Sequence, residues 1–108
     1  QFYTEIIGMD ILAENYRADR KSWKVDLSLH GIYCIELFSF NGAPPRLSHP
    51  EATGLRHLAF AVNNLDDCIR FLTESNIETE TIRTDPYTGK RFTFFRDPDG
   101  LPVEYYEE

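Results

Sequence analysis

The chain has 108 residues, enough for one domain with a modest core, and its 42% hydrophobic content with eight Phe and six Tyr marks a folded protein. The net charge of −7 and the lack of any basic stretch exclude a protein that tracks nucleic-acid phosphates. No apolar run approaches the roughly 18 residues a membrane span needs, and no stretch reads as a signal peptide, so a soluble cytoplasmic protein is expected.

In chain order, Gln1 to Ile7 reads as the last turns of a helix, with Phe2, Tyr3 and Ile6 on its apolar side and Gly8 as the residue that ends it. Met9 to Arg17 alternates loosely, with Met9, Ile11 and Ala13 on one face. After a charged turn, Trp23, Val25, Leu27 and Leu29 alternate with Lys24, Asp26 and Ser28, the pattern of a half-buried strand. His30-Gly31 is a two-residue turn and Ile32 to Phe40 the returning strand. Cys34 and Cys68 lie among apolar residues without metal or disulfide spacing and read as two buried thiols. Asn41 to Thr53, with Pro44, Pro45 and Pro50, reads as a linker in which His49 is an ordinary loop histidine.

Gly54 to Val62 is then a short apolar strand with His57 in its middle. A helix follows, capped by Asn64, with Leu65, Cys68, Ile69 and Leu72 on one face and Asn76 near its end. Thr79 to Arg83, Arg91 to Arg96 and Leu101 to Tyr106 are the remaining strands, separated by the turns Asp85–Gly89 and Asp97–Gly100.

The second half thus reads β-α-β-β-β and the first α-β-β-β. Phe2-Tyr3-Thr4-Glu5 echoes Phe71-Leu72-Thr73-Glu74 at an offset of 69, and Glu36 and Glu104 are offset by 68. The expected fold is α+β, with paired β-α-β-β-β modules over 1–40 and 54–108, a linker at 41–53, and a first module lacking its opening strand. The chain begins without Met and inside a helix, so the natural start is expected upstream.

Glu36 and Glu104 each interrupt an apolar strand at matching places of the repeat, and His57 interrupts another. A two-residue hairpin places Val25 opposite Glu36 and Trp23 opposite Phe38, and Thr93 is the expected neighbour of Glu104. A carboxylate buried there needs an ion pair, a raised pKa or a metal. Each residue alone has an ordinary structural reading. Together, imidazole and carboxylates suit Zn²⁺, Ni²⁺, Co²⁺, Mn²⁺ or Fe²⁺.

The motifs Ile35-Glu36-Leu37, Arg56-His57-Leu58-Ala59-Phe60 and Asp97-Pro98-Asp99-Gly100 followed by Glu104 resemble those of the vicinal oxygen chelate superfamily, and most closely its glyoxalase I branch. The resemblance implies cupped sheets around a divalent metal held by Glu36, His57 and Glu104, with a fourth ligand, a His, on the opening strand. It also implies a lactoylglutathione lyase-like lyase or isomerase that acts on a small hydroxycarbonyl substrate by enediolate chemistry, with Glu104 as base, Glu36 as its partner, and Zn, Ni or Co as the first choices of metal. Trp23, Phe38, Phe40 and Thr93 would line the substrate pocket, and a homodimer is expected. The rival expectations are a non-catalytic binder of the bleomycin-resistance type, which need hold no metal, and an Fe-dependent dioxygenase, against which Glu36 counts.

Overall fold

A computed structural model describes residues 1–108, which divide into two units, Gln1–Pro45 and Arg46–Glu108. The class is α+β, with one sheet and a short helical turn in the first unit and one sheet and the main helix in the second. No helix is long and apolar enough to cross a membrane.

The first unit opens on a helical turn, Phe2–Ile6. Gly8 follows at φ 90°, a conformation that costs glycine nothing, and lets the Met9 N–H reach the Tyr3 carbonyl at 2.9 Å. Strands β1 (Asp10–Arg17), β2 (Ser22–Leu29) and β3 (Ile32–Phe38) form an antiparallel sheet in that order. His30 and Gly31 both have positive φ, as a tight hairpin turn with the native twist requires. Tyr3, Met9 and Leu27 are its buried apolar residues.

Two β-bulges change what alternation predicts. The β2–β3 register slips after Leu27↔Ile35, leaving Cys34 without an opposite residue. An extra residue flips everything beyond it to the other side of the pleat. Glu36 therefore faces Asp26 rather than Val25, and Phe38 faces Lys24 rather than Trp23. Cys34 is exposed rather than buried. On β1 the slip between Ile11 and Ala13 leaves Leu12 unmatched, so Ile11 and Ala13 lie on opposite faces instead of one.

The second unit contains β4 (Leu58–Val62), helix α1 (Leu65–Glu74), β5 (Arg83–Thr84), β6 (Arg91–Arg96) and β7 (Pro102–Glu107), in the sheet order β4-β7-β6-β5 with β4 parallel to β7. Asn64 caps the helix as expected, its Oδ1 accepting the Asp67 N–H at 3.0 Å. Asn76 ends it at φ 63°, with the Ile77 N–H on the Leu72 carbonyl at 2.9 Å and the Asn76 N–H on the Thr73 carbonyl at 3.0 Å, the double closure of a left-handed cap. Leu65 and Leu72 are fully buried, with Phe95, Val103 and Tyr105 on the sheet face they cover.

The expected strand at 79–83 shrinks to Arg83–Thr84. At Glu80 a side chain takes over part of the ladder: the Thr93 hydroxyl donates to the Glu80 carbonyl at 2.7 Å, while the Glu80 N–H reaches the Phe94 carbonyl at 2.8 Å.

Glu107 ties the helix to the sheet. One carboxylate oxygen accepts the Leu65 N–H at 2.9 Å, and both oxygens meet the Arg91 guanidinium at 3.0 Å, which also reaches Asp66 at 3.0 Å. Arg91, and then the Leu65 N–H, hold the Glu107 carboxyl below its ordinary value of 4.5. A lowered folded-state pKa gives stability that is present above the unfolded value and lost as pH falls through the folded one. Glu107→Gln should therefore destabilise at neutral pH, with the gap from wild type closing in acid below about 4.5. Denaturant unfolding at several pH values checks this, and a gap independent of pH would contradict it.

Candidate active site

The parallel pairing of β4 with β7 places Ala59 beside Glu104, and the antiparallel pairing of β6 with β7 places Phe94 on its other side. Ala59, Ala61, Phe92, Phe94, Glu104 and Tyr106 therefore share the face opposite helix α1. The two alanines leave room above the carboxylate. Thr93, expected beside Glu104, instead pairs with Tyr105 and is fully buried on the helix-facing side. The reason is the preceding loop: Asp97 Oδ1 accepts the N–H groups of Asp99 (2.9 Å) and Leu101 (2.8 Å), which draws Leu101 into the loop and shifts the pairing by one.

His57 lies one residue before β4 rather than in its middle. A pair of arginines holds its approach. Arg46 donates to the Leu55 and Arg56 carbonyls, both at 2.8 Å, and to Ser48 Oγ at 3.2 Å. Arg56 donates back to the Leu47 carbonyl at 3.1 Å and to the Ala52 carbonyl. The imidazole so placed puts Nε2 3.1 Å from Glu104 Oε1 and its ring edge-on to Phe94 at 5.2 Å. The side chains are 41% and 13% exposed.

Neighbouring ligand atoms on one metal, with bonds of about 2.0–2.2 Å at tetrahedral or octahedral angles, lie roughly 2.8–3.6 Å apart. The His57–Glu104 separation and the nitrogen–oxygen donor pair fit that requirement.

The same face carries two further groups, Tyr106 and Arg83. The Tyr106 hydroxyl donates to Asp85 Oδ2 at 2.8 Å, hydrogen-bonds Thr88 Oγ1, and its ring stacks on Phe92 at 6.1 Å. The Arg83 guanidinium lies over Phe92 and Phe94 at 5.1 and 5.3 Å. The signal for Tyr106 was its spacing of two from Glu104. For Arg83 there was none, because β5 is only two residues long. A cavity of about 230 Å³ opens beside His57 and Phe94. A larger opening, about 630 Å³ along 76–80, reaches neither His57 nor Glu104.

Glu36 lies in the first unit, on β3 at the edge of its sheet. Its side chain is 44% exposed. Its partners are the Tyr33 hydroxyl, donating at 2.6 Å, and Lys24 Nζ at 3.4 Å. Tyr33, and then Lys24, hold its carboxyl below the ordinary range, so of the three outcomes for a strand carboxylate the raised pKa does not occur here and an ion pair does. Phe38 and Phe40 stack at 6.0 Å with the Arg17 guanidinium 4.7 Å from the Phe38 ring. Trp23 does not join that wall: the bulged register turns it to the opposite face, where it meets Tyr16 at 5.2 Å. Neither unit by itself gathers three or more His, Cys, Asp or Glu side chains at a metal-binding distance.

The second unit thus has β-α-β-β-β order and presents an imidazole and a carboxylate on its open face. The chain belongs to the Glyoxalase/Bleomycin resistance protein/Dioxygenase superfamily, whose family model matches residues 1–105. It is 59% identical over 107 residues to the uncharacterized protein YwkD of Bacillus subtilis, covering 99% of this chain and 84% of that one. It is 58% identical to the uncharacterized protein YaeR of Escherichia coli, covering 99% and 83%. The crystal structure of a glyoxalase family protein from Enterococcus faecalis matches with TM-score 0.91 and 49% identity, over 98% of this chain and 83% of that one.

Tyr33 is the main cause of the low Glu36 pKa. Tyr33→Phe should raise the pH at which the Glu36 carboxyl titrates, read from its ¹³C resonance. An unchanged midpoint would contradict the role given to the hydroxyl.

Proposed function

We propose that the protein is a metal-dependent lyase or isomerase of the glyoxalase I type, lactoylglutathione lyase-like, that moves a proton between adjacent carbons of a small hydroxycarbonyl substrate by enediolate chemistry. The observation that supports this most is the His57–Glu104 pair, 3.1 Å apart on an open sheet face. His57 and Glu104, joined by Glu36, would hold a divalent ion, with Zn, Ni or Co favoured and Mn or Fe also compatible with these donors. When bound, the ion would supply Lewis-acid stabilisation of negative charge developing on substrate oxygen.

The chain's own groups divide the remaining work. Glu104, largely shielded between Ala59 and Phe94, is the group that takes and returns the proton. Shielding strengthens its interaction with whatever charge develops beside it. Phe94, edge-on to the His57 ring, limits the rotation of the imidazole. Glu36 is kept anionic by Tyr33 and Lys24, so it serves as an acceptor rather than an acid. Phe38 and Phe40 form the apolar wall on its face.

The partners we propose are a small-molecule substrate and a second copy of the chain. Supporting the latter, Ile11, Leu12, Tyr16, Trp23, Ile32 and Phe38 of the first unit are each more than two-fifths exposed. One observation favours a second reading, a metal-free binder of small molecules: Glu36 is already satisfied by Tyr33 and Lys24.

Metal analysis combined with substrate proton exchange separates the two. The enzyme should retain a stoichiometric divalent ion and exchange a carbon-bound proton of hydroxycarbonyl substrates with solvent deuterium. Glu104→Gln should keep the fold and lose the exchange. His57→Ala should weaken metal binding by more than the roughly 10–100-fold that outer-sphere changes cost. Protein that takes up no metal and exchanges no proton, yet binds small aromatic molecules, would establish the second reading.

A further inference from the structure

The cavity beside His57 belongs wholly to the second unit, and its lining reverses the sign of the rest of the chain. Arg56, Arg83 and Arg96 face it together with His49 and His57, against two carboxylates, Glu51 and Glu80. The protein as a whole carries a net charge of −7.

The state of each guanidinium sharpens the contrast. Arg56 spends its N–H groups on the Leu47 and Ala52 carbonyls, which satisfy hydrogen bonds but leave the positive charge unanswered. Arg83 meets Glu80 at 3.3 Å, and its guanidinium carbon lies 5.1 and 5.3 Å from the centroids of Phe92 and Phe94, which keeps the charge beside the aromatic face. The Arg96 guanidinium makes no hydrogen bond or ion pair to the protein. A planar guanidinium presents paired N–H donors that match the oxygens of a carboxylate or phosphate. The cavity volume of about 230 Å³ equals that of roughly eight waters at ~30 Å³ each, room for a few carbons and an oxyanion.

We propose that this cavity receives an oxyanion, a carboxylate or phosphate, of the small substrate, and that Arg83 and Arg96 bind it. The oxyanion would be held at the arginines while the rest of the molecule lies over Phe94 toward His57 and Glu104. The proposal rests on the reading of His57 and Glu104 as the reacting site only for the word substrate. Anion binding can be measured without metal or turnover.

The test is titration of the metal-free protein with inorganic phosphate and, separately, with glycolate, following the ring C–H resonances of His49 and His57. Both resonances should shift saturably with at least one anion. The anion that binds more tightly identifies the oxyanion as phosphate or carboxylate. Arg96→Ala should weaken that binding by about tenfold or more, the loss expected for a charge-assisted hydrogen bond, with an unchanged circular dichroism spectrum. Arg83→Lys, which keeps the charge and loses the fork, should weaken it less than Arg83→Ala. Shifts that grow linearly with both anions, or that survive unchanged in Arg96→Ala and Arg83→Ala, would overturn the proposal. That result would leave metal uptake and proton exchange untouched, so failure here and failure of the enzymatic reading are separable.

Discussion

The pairing of β4 with β7 is the constraint on which the second unit depends. It lays Ala59 along one side of Glu104, while β6 lays Phe94 along the other. A carboxylate with only 13% of its side chain exposed loses most of its hydration and needs a compensating partner. His57 is that partner, and it stands at the point where the chain enters β4. The same strand thus creates the electrostatic requirement and supplies the group that meets it. Glu36 shows the converse. It has the matching place on β3 and settles its charge with Tyr33 and Lys24 instead.

The approach to His57 is held by side-chain-to-carbonyl bonds from Arg46 and Arg56 rather than by a sheet ladder. Loop backbone needs such partners to stay ordered, because its carbonyls have no strand neighbour to satisfy them. The arginines that order the loop also leave positive charge near His57. At the other end of the sheet, Glu107 gathers the helix N-terminus and Arg91 into one polar cluster. Polar clusters at both ends therefore hold a sheet whose middle is left open.

Much of this was legible in the sequence because it follows from local chemistry. The Asn64 cap, the Leu65–Leu72 stripe, the His30-Gly31 hairpin and the closing Asn76 each depend on a few adjacent residues. The repeat offset put Glu36 and Glu104 at matching places on β3 and β7. What was not legible were single-residue slips. The unmatched Leu12 and Cys34, and a loop that takes in Leu101, each shift a register by one without altering composition or periodicity nearby. Such a slip exchanges the two faces of a strand. That is why Trp23 and Thr93 leave the expected pocket and Asp26 replaces Val25 beside Glu36. Arg83 and Tyr106 were passed over for a related reason. Their role comes from what lies across the sheet, and nothing within their own segments marks it.

We propose that the His57 imidazole and the Glu104 carboxylate act as one unit able to hold a divalent ion. The most direct measurement is the ¹⁵N spectrum of the His57 ring as Zn²⁺ is added to the protein. The account predicts that the Nε2 resonance moves with stoichiometric Zn²⁺, and that Glu104→Gln weakens the binding that moves it. Zn²⁺ that binds without shifting Nε2, or that shifts it equally well in Glu104→Gln, would contradict the account.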